Sequence, residues 1–313
     1  MNKKLKNLFA EYIDYCNYTK GLRPQTVLSY KEAFKHFSNL MPDVETPRSI
    51  NIENMNYFFK KLQTRKRIVG KGEERIGVKA STVFTYWSRL NSFFSWLENN
   101  NYIEKNPLPK MRPAQPQYND KKSLSKAELQ KILVAIDLHS TNPFLLKRDK
   151  VIVYLLFYCG LRKGELASLR VSDIDFIRGA ITIRGATSKS KKDRLLPLNP
   201  VLEMHLKDYI SERNKKNYKT EYLLASNNCD KQLTFHGLKH WVKKFVELSG
   251  VKFHLHQFRH TFACGLAADG IGSYKLQKLM GHTDLRMTDR YLRSMGVEDF
   301  RDEVNRLCID NLV

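Results

Sequence analysis

Four prolines, Pro107, Pro109, Pro113 and Pro116, fall within NPLPKMRPAQPQYNDKK at residues 106–122. Each fixes φ and removes a backbone donor, so the stretch suits neither a helix interior nor a central strand. It has almost no hydrophobic periodicity and reads as an extended, stiff linker. The chain is thereby divided into two domains, residues 1–105 and 123–313, each needing its own core. With 42% hydrophobic residues in a chain of 313, both can have one.

The first domain is helical in pattern. Leu5, Leu8, Phe9, Tyr12 and Ile13 follow helical spacing, as do Val27, Tyr30, Phe34 and Phe37 after a turn at Gly21 and Pro24. NIENMNYFFKKL and STVFTYWSRLNSFFSWLENN supply a third and a fourth helix. Between them, TRKRIVGKGEERIGVK at residues 64–79 breaks the period. It is expected as a basic loop, either a solvated connector or a contact for phosphate. Its glycines do not make a P-loop, because GKGEE lacks the spacing and the Ser or Thr after Lys. The second domain opens on a capping box, Ser125 with Glu128 three positions on. A helical run then reaches Gly160. After Arg162 the period changes, and AITIRGATSKSKKDRLLPL alternates around a polar turn as a hairpin does. Helical patterns return from Pro200. The expected fold class is mainly α with a small antiparallel β-sheet (α+β).

Lys and Arg number 54 against 32 acidic residues, a formal net charge of +22. Such a surplus opposes compaction unless a polyanion is the partner. A membrane surface is the weaker candidate: the longest apolar run, VIVYLLFYCGL at 151–161, is too short to span, and no basic amphipathic anchor is visible. Nucleic acid is the better partner. The N-terminus lacks the apolar core and cleavage site of a signal peptide. The five cysteines are scattered without a CxxC pair, which implies a reducing compartment.

Three strings carry chemistry: CGLRKGELASL, HLHQFRHTFA and LMGHTDLRMTDRYL. They supply Arg162, His256, Arg259, His282 and Tyr291. Arginines grip a phosphate bidentately, histidine handles a proton, and a phenol oxygen can hold phosphorus covalently. Each has a bland reading. Arg162 could be a cationic helix terminus, His282 a cap and Tyr291 a core residue. The charge run Lys189, Lys191, Lys192 and Arg194 could be a solvated turn. His256 and His260, with His236, His240 and His254, could suit zinc, but no HExxH, paired Cys or suitable carboxylate completes a site. Glu165, one turn after Arg162, is spaced to orient its guanidinium.

Together, GLRKGEL, a later HxxRH and GHxxxxxTxxY, with nine positions from His282 to Tyr291, resemble the tyrosine recombinases, or phage integrase family. The resemblance covers nearly the whole chain. It implies a helical core-binding domain over 1–105, the linker, and a catalytic domain over 123–313 with a C-terminal exchange helix. By resemblance, Tyr291 attacks a backbone phosphorus to form a 3′-phosphotyrosyl link and release a 5′ hydroxyl. Arg162 and Arg259 hold the phosphate, His256 takes the phenol proton, His282 donates to the phosphate and Glu165 buttresses. A hairpin lysine protonates the leaving oxygen; counting back from KDRLLPL gives Lys189, with Lys191 the other register. No cofactor or metal is implied. The expected partner is a specific site on duplex DNA. The protein would be a homotetramer in the synapse and a monomer or dimer off DNA. A bacterial, cytoplasmic and nucleoid-associated setting follows, in a simple Xer-type or mobile-element role. A type IB topoisomerase, or a catalytically silent architectural DNA-binding protein, are the alternatives. In the tail, Val297, Phe300, Val304 and Leu307 keep helical spacing, and the resemblance suggests docking on a neighbouring protomer.

Overall fold

The computed structural model describes residues 3–70, 72–114, 123–187, 192–284 and 287–288. The chain divides into two compact units, Met1–Tyr118 and Asn119–Val313. Among the described residues, no helix is long and apolar enough to cross a membrane.

The first unit is built on helices α1 (Leu5–Asp14), α2 (Pro24–Leu40), α3 (Ile52–Thr64) and α4 (Ala80–Asn99). Pro24 sits in the first turn of α2, where its missing N–H would have no intrahelical partner. Asn51 caps α3, its Oδ1 accepting from Asn54 N at 2.8 Å. The helical spacing of the sequence becomes an aromatic core. Phe9 stacks on Phe34 with centroids 3.9 Å apart, and Phe93 meets Phe9 edge-on at 5.1 Å.

The segment expected as a loop between α3 and α4 is instead a two-stranded antiparallel hairpin, β1 (Lys66–Val69) and β2 (Glu73–Ile76). Gly70 and Gly72, at φ 58° and 100°, take the left-handed backbone that its reversal needs. No hydrophobic alternation announced it, because every residue of both strands is exposed or half-buried. Gly77 has φ +62°, and a Cβ there would meet the Gln63 carbonyl oxygen at 2.2 Å.

The proline-rich stretch also begins differently from expectation. Asn106 is buried and replaces the donors that proline lacks. Its Nδ2 donates to Asn91 Oδ1 at 2.9 Å and Ser95 Oγ at 3.1 Å, and its Oδ1 accepts from Leu108 N at 3.0 Å. Trp87 Nε1 donates to the Leu108 carbonyl at 2.8 Å. Residues 106–108 therefore belong to the first core. Residues 115–122 lie outside the described residues.

The second unit contains α5 (Lys126–His139), α6 (Pro143–Cys159), α7 (Lys163–Ser168), strands β3 (Ile174–Asp175), β4 (Ala180–Ile183) and β5 (Arg194–Pro197), then α8 (Pro200–Lys215), α9 (Phe235–Ser249), α10 (Leu255–Ala268) and α11 (Ser273–Met280). The fold is mainly α with a small antiparallel sheet of order β3-β4-β5. Ile181 lies opposite both Ile174 and Leu196, and all three are buried. The Ser125 capping box forms as the sequence indicates, Glu128 N donating to Ser125 Oγ at 3.2 Å and Ser125 N to Glu128 Oε2 at 2.8 Å. Helix α6 packs against both α8 and α10. That explains why Val151, Ile152, Val153, Leu155 and Leu156 are all buried and why the helix carries no charged residue from Val151 to its end.

Candidate active site

Helix α6 ends at Gly160, whose φ of +54° forms a left-handed C-cap. A Cβ there would sit 2.4 Å from Phe262 Cδ1, so the turn also needs glycine for space. The reversal sends Leu161 into the core and makes Arg162 the N-cap of α7. Glu165, three residues on, is 1% exposed. Its Oε2 accepts from Arg162 N at 3.0 Å and its Oε1 from Arg162 Nη1 at 2.9 Å. Arg162 Nη2 reaches across the unit to the Gly281 carbonyl at 3.2 Å.

Arg259 comes to the same place from α10. It is 1% exposed, and its Nη1 donates to the Gly160 carbonyl at 2.7 Å. Its Nη2 donates to the Met280 carbonyl and lies 3.1 Å from His282 Nε2. The two guanidiniums thus end on the successive carbonyls of Met280 and Gly281. Gly281 closes α11 with φ +60°, and this turn presents His282. A guanidinium only donates, so His282 Nε2 accepts. The ring proton is therefore on Nδ1, which donates to Thr288 Oγ1 at 3.0 Å. Burial first, then the Arg259, Arg162 and Arg194 charges, push His282 far below the usual imidazole range, to about 3. The imidazole is neutral here at physiological pH.

His256 lies on the first turn of α10 and is exposed, whereas Arg259 is buried. The two are three apart, as the spacing required, and His256 is close enough for its charge to bear on His282. His254 caps the helix, its Nδ1 accepting from Gln257 N at 3.0 Å. His260 is buried, with Cys264 Sγ 3.6 Å from its Nε2. His236 and His240 are exposed on α9. Among the described residues no group of three or more His, Cys, Asp or Glu is placed to hold a metal ion. Lys189, its alternative Lys191, and Tyr291 lie outside the described residues, as does the tail from Val297.

One functional neighbour escaped the sequence reading. Arg194 stood in a charge run with a solvated turn as its ordinary fate, yet its side chain is 9% exposed. Its Nη1 and Nη2 donate to Glu165 Oε1 and Oε2 at 3.0 and 2.8 Å, and its Nε to the Leu279 carbonyl at 3.0 Å. The signal was strand parity. Leu196 and Leu198 face the core, and period two puts Arg194 on their side. Burial would raise the Glu165 carboxyl, but Arg194 and Arg162 hold it down at about 2. The carboxylate is thus fixed between two arginines, with a third arginine and a neutral histidine beside it.

Residues 122–296, more than half of the chain, match the sequence profile of the phage integrase family. The chain belongs to the phage integrase family. It is similar to a tyrosine recombinase of Pseudothermotoga lettingae, 29% identical over 314 residues, which cover 97% of this chain and 99% of that relative. The tyrosine recombinase XerC of Oceanobacillus iheyensis is 30% identical over 292 residues, 90% of this chain and 89% of the relative. Among solved structures, the Tn1549 transposon integrase in complex with transposon right end DNA aligns with a TM-score of 0.75 at 19% identity, covering 97% of this chain and 99% of that one. A lambda integrase dimer bound to a COC′ core site aligns at 0.68 and 19% identity, over 94% of this chain and 79% of that one. These two neighbours share the fold. Like its family, the chain is an enzyme that cleaves and rejoins DNA.

Proposed function

We propose that this phage integrase family member recombines specific duplex sites through a 3′-phosphotyrosyl intermediate, with Tyr291 as nucleophile. The observation that carries this reading is the convergence of Arg162, Arg259 and His282 on the Met280–Gly281 turn. The Tyr291 oxygen bonds to phosphorus, the bond from phosphorus to O5′ breaks, and the phosphate stays on the 3′ oxygen. The phenol proton passes to His256, and Lys189 protonates the departing O5′. A free phenol has a pKa near 10, so unaided ionisation is costly at neutral pH. Arg162 and Arg259 face the charge that builds on the non-bridging oxygens, where fixed, always-protonated forks serve best. The incoming phosphate offsets the guanidinium charges that keep His282 neutral, and so favours a proton on its Nε2 and a bond to the phosphate. Reversal by a second strand's 5′ hydroxyl conserves the phosphodiester, so no cofactor is drawn on.

The charge of +22 suits a protein that binds the phosphates of duplex DNA. The β1–β2 hairpin contributes phosphate contacts through Arg67 and Arg75, which face each other across the ladder. In the free protein Arg75 is held by Glu73, its Nε and Nη2 donating to Oε1 and Oε2 at 2.9 Å, an exposed pair whose place a phosphate can take. The active assembly is a homotetramer, monomeric or dimeric off DNA, in a cytoplasmic, nucleoid-associated setting. A lambda integrase of this fold is a tetramer on a Holliday junction. The C-terminal segment from Val297 docks on a neighbouring protomer.

The test uses the full chain and a supercoiled plasmid carrying two copies of the DNA flanking its gene. Exchange between the two copies supports recombination. Relaxation of supercoils without exchanged products would make the chain a topoisomerase of type IB instead.

A further inference from the structure

We propose that Arg194 is a positioning residue for DNA cleavage, acting through Glu165 on Arg162 and through the Gly281 turn on His282. The proposal rests on the phosphotyrosyl reading above. Glu165 Oε1 accepts from Arg162 Nη1 at 2.9 Å and from Arg194 Nη1 at 3.0 Å. Its Oε2 accepts from Arg162 N at 3.0 Å and from Arg194 Nη2 at 2.8 Å. Both oxygens are therefore taken by the Arg194 fork, which leaves the Arg162 guanidinium a single bond to Glu165.

That division matters because an arginine left alone with a buried carboxylate closes on it bidentately. Arg162 would then turn both terminal nitrogens toward Glu165. With Arg194 occupying the fork position, Arg162 keeps Nη2 directed at Gly281, beside His282. A second contact works on the other wall. Arg194 Nε donates to the Leu279 carbonyl at 3.0 Å, and a Cβ on Gly281 would come within 2.9 Å of Arg194 Nη1. The side chain thus lies close against the turn that presents His282. One side chain on β5 registers α7, which carries Glu165 behind Arg162, against the end of α11 before His282. Neutralising Glu165 needs only a positive charge. Holding both geometries needs donors on separate nitrogens of a planar fork, Nη1 and Nη2 toward Glu165 and Nε toward Leu279, whereas the three donors of lysine share one nitrogen.

Arg194→Lys and Arg194→Met are compared with the parent protein on a nicked suicide duplex, and binding and single-turnover cleavage are measured separately. Arg194→Lys is expected to bind DNA as the parent does and to cleave on the order of 10²-fold more slowly, as misplacement by about 1 Å does. A second substrate carries a methylphosphonate at the scissile position, where one charged non-bridging oxygen becomes a methyl group. That transition state draws less on Arg162, so the Arg194→Lys defect should shrink on it. An equal loss on both substrates, or cleavage at the parent rate, would overturn the proposal. If Arg194→Met does not fold, Arg194→Lys, which keeps the charge on Glu165, decides. Absence of any adduct with the parent protein would instead overturn the phosphotyrosyl reading, and the proposal that rests on it.

Discussion

Replacing Arg259 by lysine should separate folding from chemistry at the centre of the site. The arginine is 1% exposed and serves two buried carbonyls on different elements, Gly160 at 2.7 Å and Met280, while facing His282 at 3.1 Å. An ammonium is a point donor and can satisfy one carbonyl or the other. The carbonyl left over loses its partner, at a cost of about 1–3 kcal/mol. For a unit of this size each kcal/mol lowers Tm by roughly 2–4 °C. A typical domain with about 5–15 kcal/mol of stability stays folded under that loss at 25 °C. Cleavage should fall much further. Removing a single fixed donor from a developing oxyanion costs on the order of 10²–10³ in rate. Single-turnover cleavage of a nicked suicide duplex, run beside thermal melting, reads both effects. A folded Arg259→Lys protein that cleaves near the parental rate would remove Arg259 from the chemistry and leave it a structural clamp.

Stability should fall in acid with a sign set by two groups. His282 sits at about 3 against an ordinary 6.5, so between those values the unfolded chain binds the extra proton. Its contribution is fully present above pH 6.5 and is lost as pH falls toward 3. Glu165, at about 2 against 4.5, has the same sign in a lower window. The His282→Gln protein should therefore show a shallower decline of Tm between pH 6.5 and 4.5, and an unchanged decline would contradict the buried neutral imidazole. Arg67→Ala with Arg75→Ala should lower the slope of log Kobs against log salt by about 2, since each phosphate contact contributes about 0.9; an unaltered slope would take the hairpin off the DNA. Cleavage should persist in excess EDTA, and loss restored by Zn²⁺ or Mg²⁺ would show that the arginines need a metal's help.

The sequence exposed most where a residue's neighbours in the chain are also its neighbours in space. The α1 spacing, the Ser125–Glu128 box, the Gly160 stop and the Arg162–Glu165 pair are all local, and each formed as the pattern indicates. The β1–β2 hairpin stayed hidden because neither face is buried, so no hydrophobic alternation marks it. Asn106 lies beside prolines in the chain and carries no hydrophobic signal, yet its amide supplies the bonds they lack. Arg194 joins Glu165 from 29 positions away, and only strand parity hinted that it turns inward. The tautomer of His282 depends on Arg259 and Thr288 together, which no local string encodes.

The central claim is that the Tyr291 oxygen becomes covalently linked to DNA. A suicide duplex with a nick near the cleavage point traps any such adduct, because the short 5′-hydroxyl fragment diffuses away before religation. The trapped protein is digested and the nucleotide-bearing peptide sequenced by mass spectrometry. After trypsin the mechanism predicts a single modified peptide, YLR or the longer MTDRYLR left uncut at Arg290, with the 3′-phosphate on Tyr291, and no adduct in the Tyr291→Phe protein. A 3′-phosphate on any other residue, or an adduct that survives in Tyr291→Phe, would contradict it.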